Sequence, residues 1–244
     1  MGLQKFKAIF RREFLGYFQS WQGIVLIVVS LISMGILFSM FALGSEPKRS
    51  QFVLEDFWLQ ASGVVMVLGM FLGARLLAEE VQSRRMVLFE SSPVTARQLV
   101  YPKALAAMAF LAVVLVNSIY IPLYVHSYGT IHWVQIVVGY FGLMLLGMAA
   151  IGIGAVASAI SSNQLVAMTL GGGLLMVLTV AWLATRVMPS PWGEAVGYFA
   201  LHNEHFDSFR RSIVRSQDVL YYFSLTLLTV EVAARIVQLR RVHA

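Results

Sequence analysis

Residues 202–205 read His-Asn-Glu-His, two imidazoles three positions apart. On a helix that spacing would let both rings approach one metal ion, but no third or fourth ligand accompanies them. The alternative is a polar loop with two exposed histidines, and the same holds for His126 and His132. Two carboxylate–guanidinium patterns are more regular. Arg75 precedes Glu79 by four residues, with Glu80 next, and Glu231 precedes Arg235 by the same interval. Such neighbours share a helix face and can pair. At the edge of an apolar run the pair shields its charges while arginine reaches toward the headgroups. A sharper reading makes Arg75 a charge that fixes its span to the loop beyond it. Asn117, inside another apolar run, reads as a packing hydrogen bond rather than a ligand. The chain has no Gly-x-x-x-x-Gly-Lys-Ser/Thr loop to cradle phosphate, no His-Glu-x-x-His zinc helix and no Gly-x-Ser-x-Gly elbow. We therefore assign it no catalytic residue, cofactor site or metal ligand, and read it as a non-enzyme. With no cysteine, disulfides and thiolate ligands are excluded.

The elements that carry these groups follow from composition. Of 244 residues, 59% are hydrophobic and 12% charged, where a soluble domain has about 45–50% and about 25%. The apolar residues lie in runs long enough to cross a bilayer as helices. We place six, at 23–43, 57–78, 104–125, 133–160, 164–188 and 219–237. Ser161, Ser162 and Asn163 form a tight turn between the fourth and fifth. Gly152, Gly154 and Gly171–Gly173 lie within spans and allow close helix approach. Ahead of the first span, residues 4–21 read as an amphipathic interfacial helix. Phe6, Ile9, Phe10, Phe14, Tyr17, Phe18 and Trp21 recur at helical spacing, with Lys7, Arg11, Arg12 and Glu13 between them. A cleaved signal peptide is not expected, because the first apolar run is too long.

The expected fold is thus an all-α polytopic membrane protein in one domain, 1–244. Placing both termini in the cytoplasm collects Lys5, Lys7, Arg11, Arg12, Arg75, Arg84, Arg85, Arg97, Lys103, Arg235, Arg240 and Arg241 on the inner side. The outer side then holds the smaller set, Lys48, Arg49, Arg186, Arg210, Arg211 and Arg215. The net charge of +6 follows from these loops and does not indicate nucleic acid as a partner. Two polar segments remain: the inner loop 79–103, and the outer loop 189–218, where short re-entrant or interfacial helices are expected.

Four stretches, in order along the chain, resemble the permease subunits of type-2 ABC transporters (the ABC-2 family). The nearest resemblance is to the short gliding-motility-type and nitrous-oxide-maturation-type permeases. Arg11-Arg12-Glu13-Phe14-Leu15-Gly16-Tyr17-Phe18 resembles the family's Arg-Glu-x-x-x-Tyr-Phe amphipathic helix. Arg75-Leu76-Leu77-Ala78-Glu79-Glu80, continuing to Ser91-Ser92-Pro93-Val94-Thr95, resembles its span-two exit and coupling loop. Residues 154–164 resemble its span-four/five turn, and His205-Phe206 through 218–224 its outer loop leading into span six. The chain departs from the family where Ser-Gly-Thr-x-Glu is usual: Arg84, Arg85 and Val87 stand at the Gly, Thr and Glu positions, and Glu90 at an apolar one. Ser212 likewise replaces a usual glycine.

The resemblance implies a six-span permease in a bacterial cytoplasmic membrane, working with a dimer of separate ABC-type ATPase subunits that carry ATP and Mg. A second permease copy or a homologous permease completes the pair, and a periplasmic or membrane accessory protein can join it. The helix around 83–92 would be the coupling helix, with Glu79, Glu80, Ser83, Arg84, Arg85, Met86, Leu88, Phe89, Glu90, Ser91 and Pro93 meeting the ATPase. Arg11, Arg12, Glu13, Phe14, Tyr17 and Phe18 would form the interfacial helix that moves with it. Export is the direction the resemblance implies. The competing reading is a non-transporting membrane anchor for an ATPase-driven mechanical or assembly complex, since no span carries a polar stripe suited to a hydrophilic substrate.

Overall fold

The structure, a computed structural model, describes residues 2–44, 48–82 and 95–243. Every regular element among them is helical. Helix α1 covers Gly2–Gln19, and α2 covers Trp21–Leu37 and runs on as a π-helical stretch, Phe38–Leu43. Then come α3 (Ser50–Gln82), α4 (Ala96–Asn117), α5 (Tyr120–Tyr128), α6 (Trp133–Ile160) and α7 (Gln164–Val180). A short 3₁₀ turn, Ala181–Leu183, leads to α8 (Ala184–Val187), α9 (Trp192–Tyr198), α10 (Phe206–Arg210) and α11 (Ser216–His243).

Six helical stretches are long and apolar enough to cross a membrane: Trp21–Leu43, Ser50–Gln82, Ala96–Tyr128, Trp133–Ile160, Gln164–Val187 and Ser216–Arg240. The fourth matches the expected span at both bounds. The second is longer than 57–78 at both ends, because Glu55, Asp56, Glu79 and Glu80 continue the helix where hydropathy alone sees loop. The third is not continuous. It breaks at Ser118–Ile119, four residues before Pro122, whose ring nitrogen has no hydrogen to donate to the Ser118 carbonyl. The Ser118 hydroxyl turns back onto the Leu115 carbonyl at 2.8 Å and meets the Tyr140 hydroxyl at 3.0 Å.

α3 and α6 are the central pair. Their crossing works because glycines remove side chains from it. A Cβ on Gly73 would lie 2.2 Å from the Ile151 carbonyl oxygen, and one on Gly154 2.6 Å from that of Met70. Only backbone-to-backbone contact fits there. The Ser158 hydroxyl reinforces the crossing, accepting from the amides of Leu77 at 2.9 Å and Ala78 at 2.8 Å. α2 and α7 lie outside this pair with mostly exposed apolar faces, as suits contact with lipid rather than water.

The bundle has two unlike ends. One gathers α1, the last turns of α3, the first turns of α4, the α6–α7 turn and the last turns of α11, and carries more of the lysines and arginines. The other gathers the segments around Ser50 and Gly129 and the stretch 188–215, and is rich in aromatic rings.

Candidate functional site

The charged end is built around one buried cation. α4 starts at a capping box: the Thr95 hydroxyl accepts from the Gln98 amide at 3.3 Å, and Gln98 Oε1 accepts from the Thr95 amide at 3.2 Å. Two turns on, Lys103 is only 4% exposed. Its ammonium lies 2.9 Å from Glu80 Oε1 on α3 and 3.2 Å from Glu13 Oε1 on α1. Arg12 closes the cluster, 2.6 Å from Glu13 and 3.8 Å from Glu80. A lysine desolvated this far is held by its partners, because an unpaired buried charge would be driven to neutrality. Burial pushes the Glu13 carboxyl up, but Lys103 and Arg12 outweigh it and hold it below the usual carboxylate range.

Aromatic rings frame the cluster. Tyr17 is buried and stacks on Phe110 of α4, with ring centres 4.7 Å apart, and Phe18 meets the same ring edge-on. Phe14 sits between Phe10 and Phe18. The Arg75 guanidinium lies 5.5 Å from the Tyr17 ring centre, a cation–π distance. Its Nε donates to Glu79 at 2.5 Å, forming the pair the spacing suggests. Burial pushes the Tyr17 phenol up, so it stays neutral. Arg11 and Arg12 are exposed on α1.

A second network ties α4 to α11. Glu231 receives Arg235 Nε at 2.8 Å, as expected from spacing, and also the Arg97 guanidinium and the Tyr101 hydroxyl, the latter at 2.9 Å. Unlike the Lys103 cluster, it is largely exposed. A cavity of about 500 Å³ opens at this same end, lined by Gln82, Asn163, Gln164, Leu165 and Met168.

The sequence pairs Arg75 with Glu79 and Glu231 with Arg235, and it marks Glu13 and Glu80 without joining them. Lys103 and Arg97 read only as loop charge, because their partners lie on other helices and no local spacing reveals them. Lys103 did carry a signal: a lone cation just after Pro102, inside the start of an apolar run. Ser83, Arg84, Arg85, Met86, Leu88, Phe89, Glu90, Ser91 and Pro93 lie outside the described residues. Asn117 bonds its own helix, donating to the Val113 carbonyl at 2.8 Å from an exposed position.

At the aromatic end the histidines are not the exposed pair the sequence suggested. His205 is 2% exposed, and both its nitrogens are engaged: Nδ1 at 2.8 Å from Asp218 Oδ1, Nε2 at 3.0 Å from the Tyr198 carbonyl. His202 Nε2 sits 2.6 Å from the Ser62 hydroxyl of α3. That hydroxyl donates to the Leu59 carbonyl, so the ring is the donor. Its Nδ1 lies 2.9 Å from Asn203 Oδ1, and burial pushes the ring below the usual imidazole range. A cavity of about 360 Å³ beside it is lined by Leu59, His202, Asn203, Phe206, Asp207 and Arg210. Ser208, His205 and Asp218 have the residue types of a hydrolytic triad but not its wiring. The Ser208 hydroxyl meets Asp218 rather than the ring, and Nε2 is taken by a carbonyl.

No protein-family model matches the sequence, and no curated protein matches it.

Proposed function

We propose that the chain is the permease subunit of an ATP-driven type-2 ABC exporter in a bacterial cytoplasmic membrane, with its charged end in the cytoplasm. The ordered motif resemblance and the six apolar helices support this reading. So does the lack of any P-loop in the sequence, which leaves ATP hydrolysis to a partner ATPase dimer. The observation that carries it is Lys103. This buried ammonium joins Glu13 of α1, Glu80 at the end of α3, and α4 itself. α3 and α4 are the two helices that flank residues 83–94. A push delivered to that loop or to α1 would therefore meet one joint, and the helices would shift as connected bodies between two packings. In this reading α1 lies in the membrane interface, its aromatic side against α4 and Arg11 and Arg12 among headgroups.

The test is purification from native membranes in mild detergent, with the co-purifying chains identified by mass spectrometry. Recovery of a separate chain bearing a Walker P-loop is the expected result. Recovery of the protein alone, under conditions that retain known membrane complexes, contradicts it.

A further inference from the structure

The contacts of the charged end leave part of one guanidinium unused. Arg75 gives its Nε to Glu79 and lies 5.5 Å from the Tyr17 ring centre. Its Nη1 is buried, and among the described residues nothing accepts from it. A buried donor on a charged group is costly to leave unmade, and native structures seldom leave one. The side chain is 17% exposed, so the group is not sealed from its surroundings. What Arg75 lacks is an acceptor.

Its depth says what surrounds it. Between Asp56 and Arg75, α3 carries no charged residue over the stretch Phe57 to Ala74. Those eighteen positions, at about 1.5 Å each, span about 27 Å, close to a bilayer's hydrocarbon thickness of about 30 Å. Arg75 is therefore the first charge beyond the hydrocarbon, at the level of lipid glycerol and phosphate. Its bond to Glu79, one turn on, directs the guanidinium outward along the helix. Gln82 lies on the same helix face. It lines the cavity of about 500 Å³ with Asn163, Gln164, Leu165 and Met168. An anion on Arg75 has room there, among uncharged amides, for the alcohol it carries.

We propose that Arg75 holds the phosphodiester of a membrane phospholipid, with the lipid's polar head turned toward the Gln82 cavity. Guanidinium and phosphate match as a planar fork, two parallel N–H···O bonds. With Nε given to Glu79, the fork is the far edge of the group, which carries Nη1. Glu79 opposes the anion in charge, and it is the carboxylate that Arg75 already holds. The other two nearby carboxylates, Glu13 and Glu80, are engaged by Lys103. α1 adds Lys5, Lys7, Arg11 and Arg12 against Glu13 alone, so this end draws anions. A lipid rather than a soluble phosphate fits, because the site stands where hydrocarbon ends and chains as well as phosphate are at hand.

The test is native mass spectrometry of the full chain, delipidated in detergent and titrated with three probes. Phosphatidylglycerol has both chains and phosphate, diacylglycerol has the chains alone, and glycerol 3-phosphate has the phosphate alone. The parent is expected to bind phosphatidylglycerol well above the other two. Arg75→Gln lowers that affinity by about tenfold, the scale of a charge-assisted hydrogen bond. Arg75→Lys keeps the charge without the fork and falls between. Glu79→Gln removes the competing carboxylate and keeps or raises the affinity, a result that a merely structural Arg75–Glu79 pair would not give. Arg215→Gln, at an exposed position of the opposite end, leaves it unchanged. Diacylglycerol binding as tightly as phosphatidylglycerol overturns the proposal, and so does glycerol 3-phosphate binding as tightly, which would mark a soluble phosphate site. An unchanged Arg75→Gln, an equal loss in Glu79→Gln, or an equal loss in Arg215→Gln also overturns it. Should Arg75→Gln fail to fold, Glu79→Gln and the three probes still decide. The outcomes need only that α3 crosses a bilayer, and none depends on a partner ATPase.

Discussion

The charged end and the aromatic end solve the same problem, holding polar groups in a largely apolar molecule, by opposite means. At the charged end full charges from three helices converge on Lys103, and the cluster grades outward into exposed pairs around Glu231. At the aromatic end the buried polar groups are satisfied by carbonyls, hydroxyls and ring faces. The difference separates two tasks. A cluster whose partners sit on different helices transmits a displacement of any one of them to the rest. A buried seam of short hydrogen bonds holds its two sides together.

The sharpest way to break the contrast is Lys103→Met. It removes the buried ammonium that Glu80 and Glu13 share, and removing one partner of a buried pair costs about 3–5 kcal/mol. A large drop in thermal midpoint in detergent is expected, with much of it recovered when Glu80→Gln is added. Next is Tyr222→Phe at the other end. It leaves the buried Leu201 carbonyl without its donor, a loss of about 1–3 kcal/mol by the same melt.

Acid separates the two ends further. His202 titrates below the ordinary imidazole value in the folded chain. Its contribution is thus complete above that value and is lost as pH falls through it toward the folded one. Glu13, held below the ordinary carboxylate range, keeps its contribution to much lower pH. Mild acid therefore loosens the aromatic end first, read as faster maleimide labelling of Leu201→Cys relative to Glu204→Cys. His202→Gln removes that dependence. The smallest effect belongs to Glu231→Gln. Its network is solvent-exposed, so the melt changes little and the residual change shrinks with added salt.

What the sequence made legible was whatever is local. The apolar runs set the spans, Ser161–Asn163 set the turn, and four-residue spacing paired Arg75 with Glu79 and Glu231 with Arg235. Contacts made through space were not legible. Nothing in the neighbourhood of Lys103 points to Glu13, nor does anything near His205 point to Asp218. His202 and His205 looked like one motif because they are three residues apart, yet they face different helices. The break at Ser118–Ile119 was written in Pro122, but an unbroken apolar run concealed it.

We propose that force from an ATPase enters at the charged end. It is tested most directly by cross-linking in the native membrane, using a cysteine-directed photoreactive label on Leu88→Cys within the loop and on Gln217→Cys at the opposite end. The account predicts an adduct between Leu88→Cys and a P-loop ATPase chain, and none from Gln217→Cys. An ATPase adduct from Gln217→Cys, or no ATPase adduct from Leu88→Cys, would contradict it.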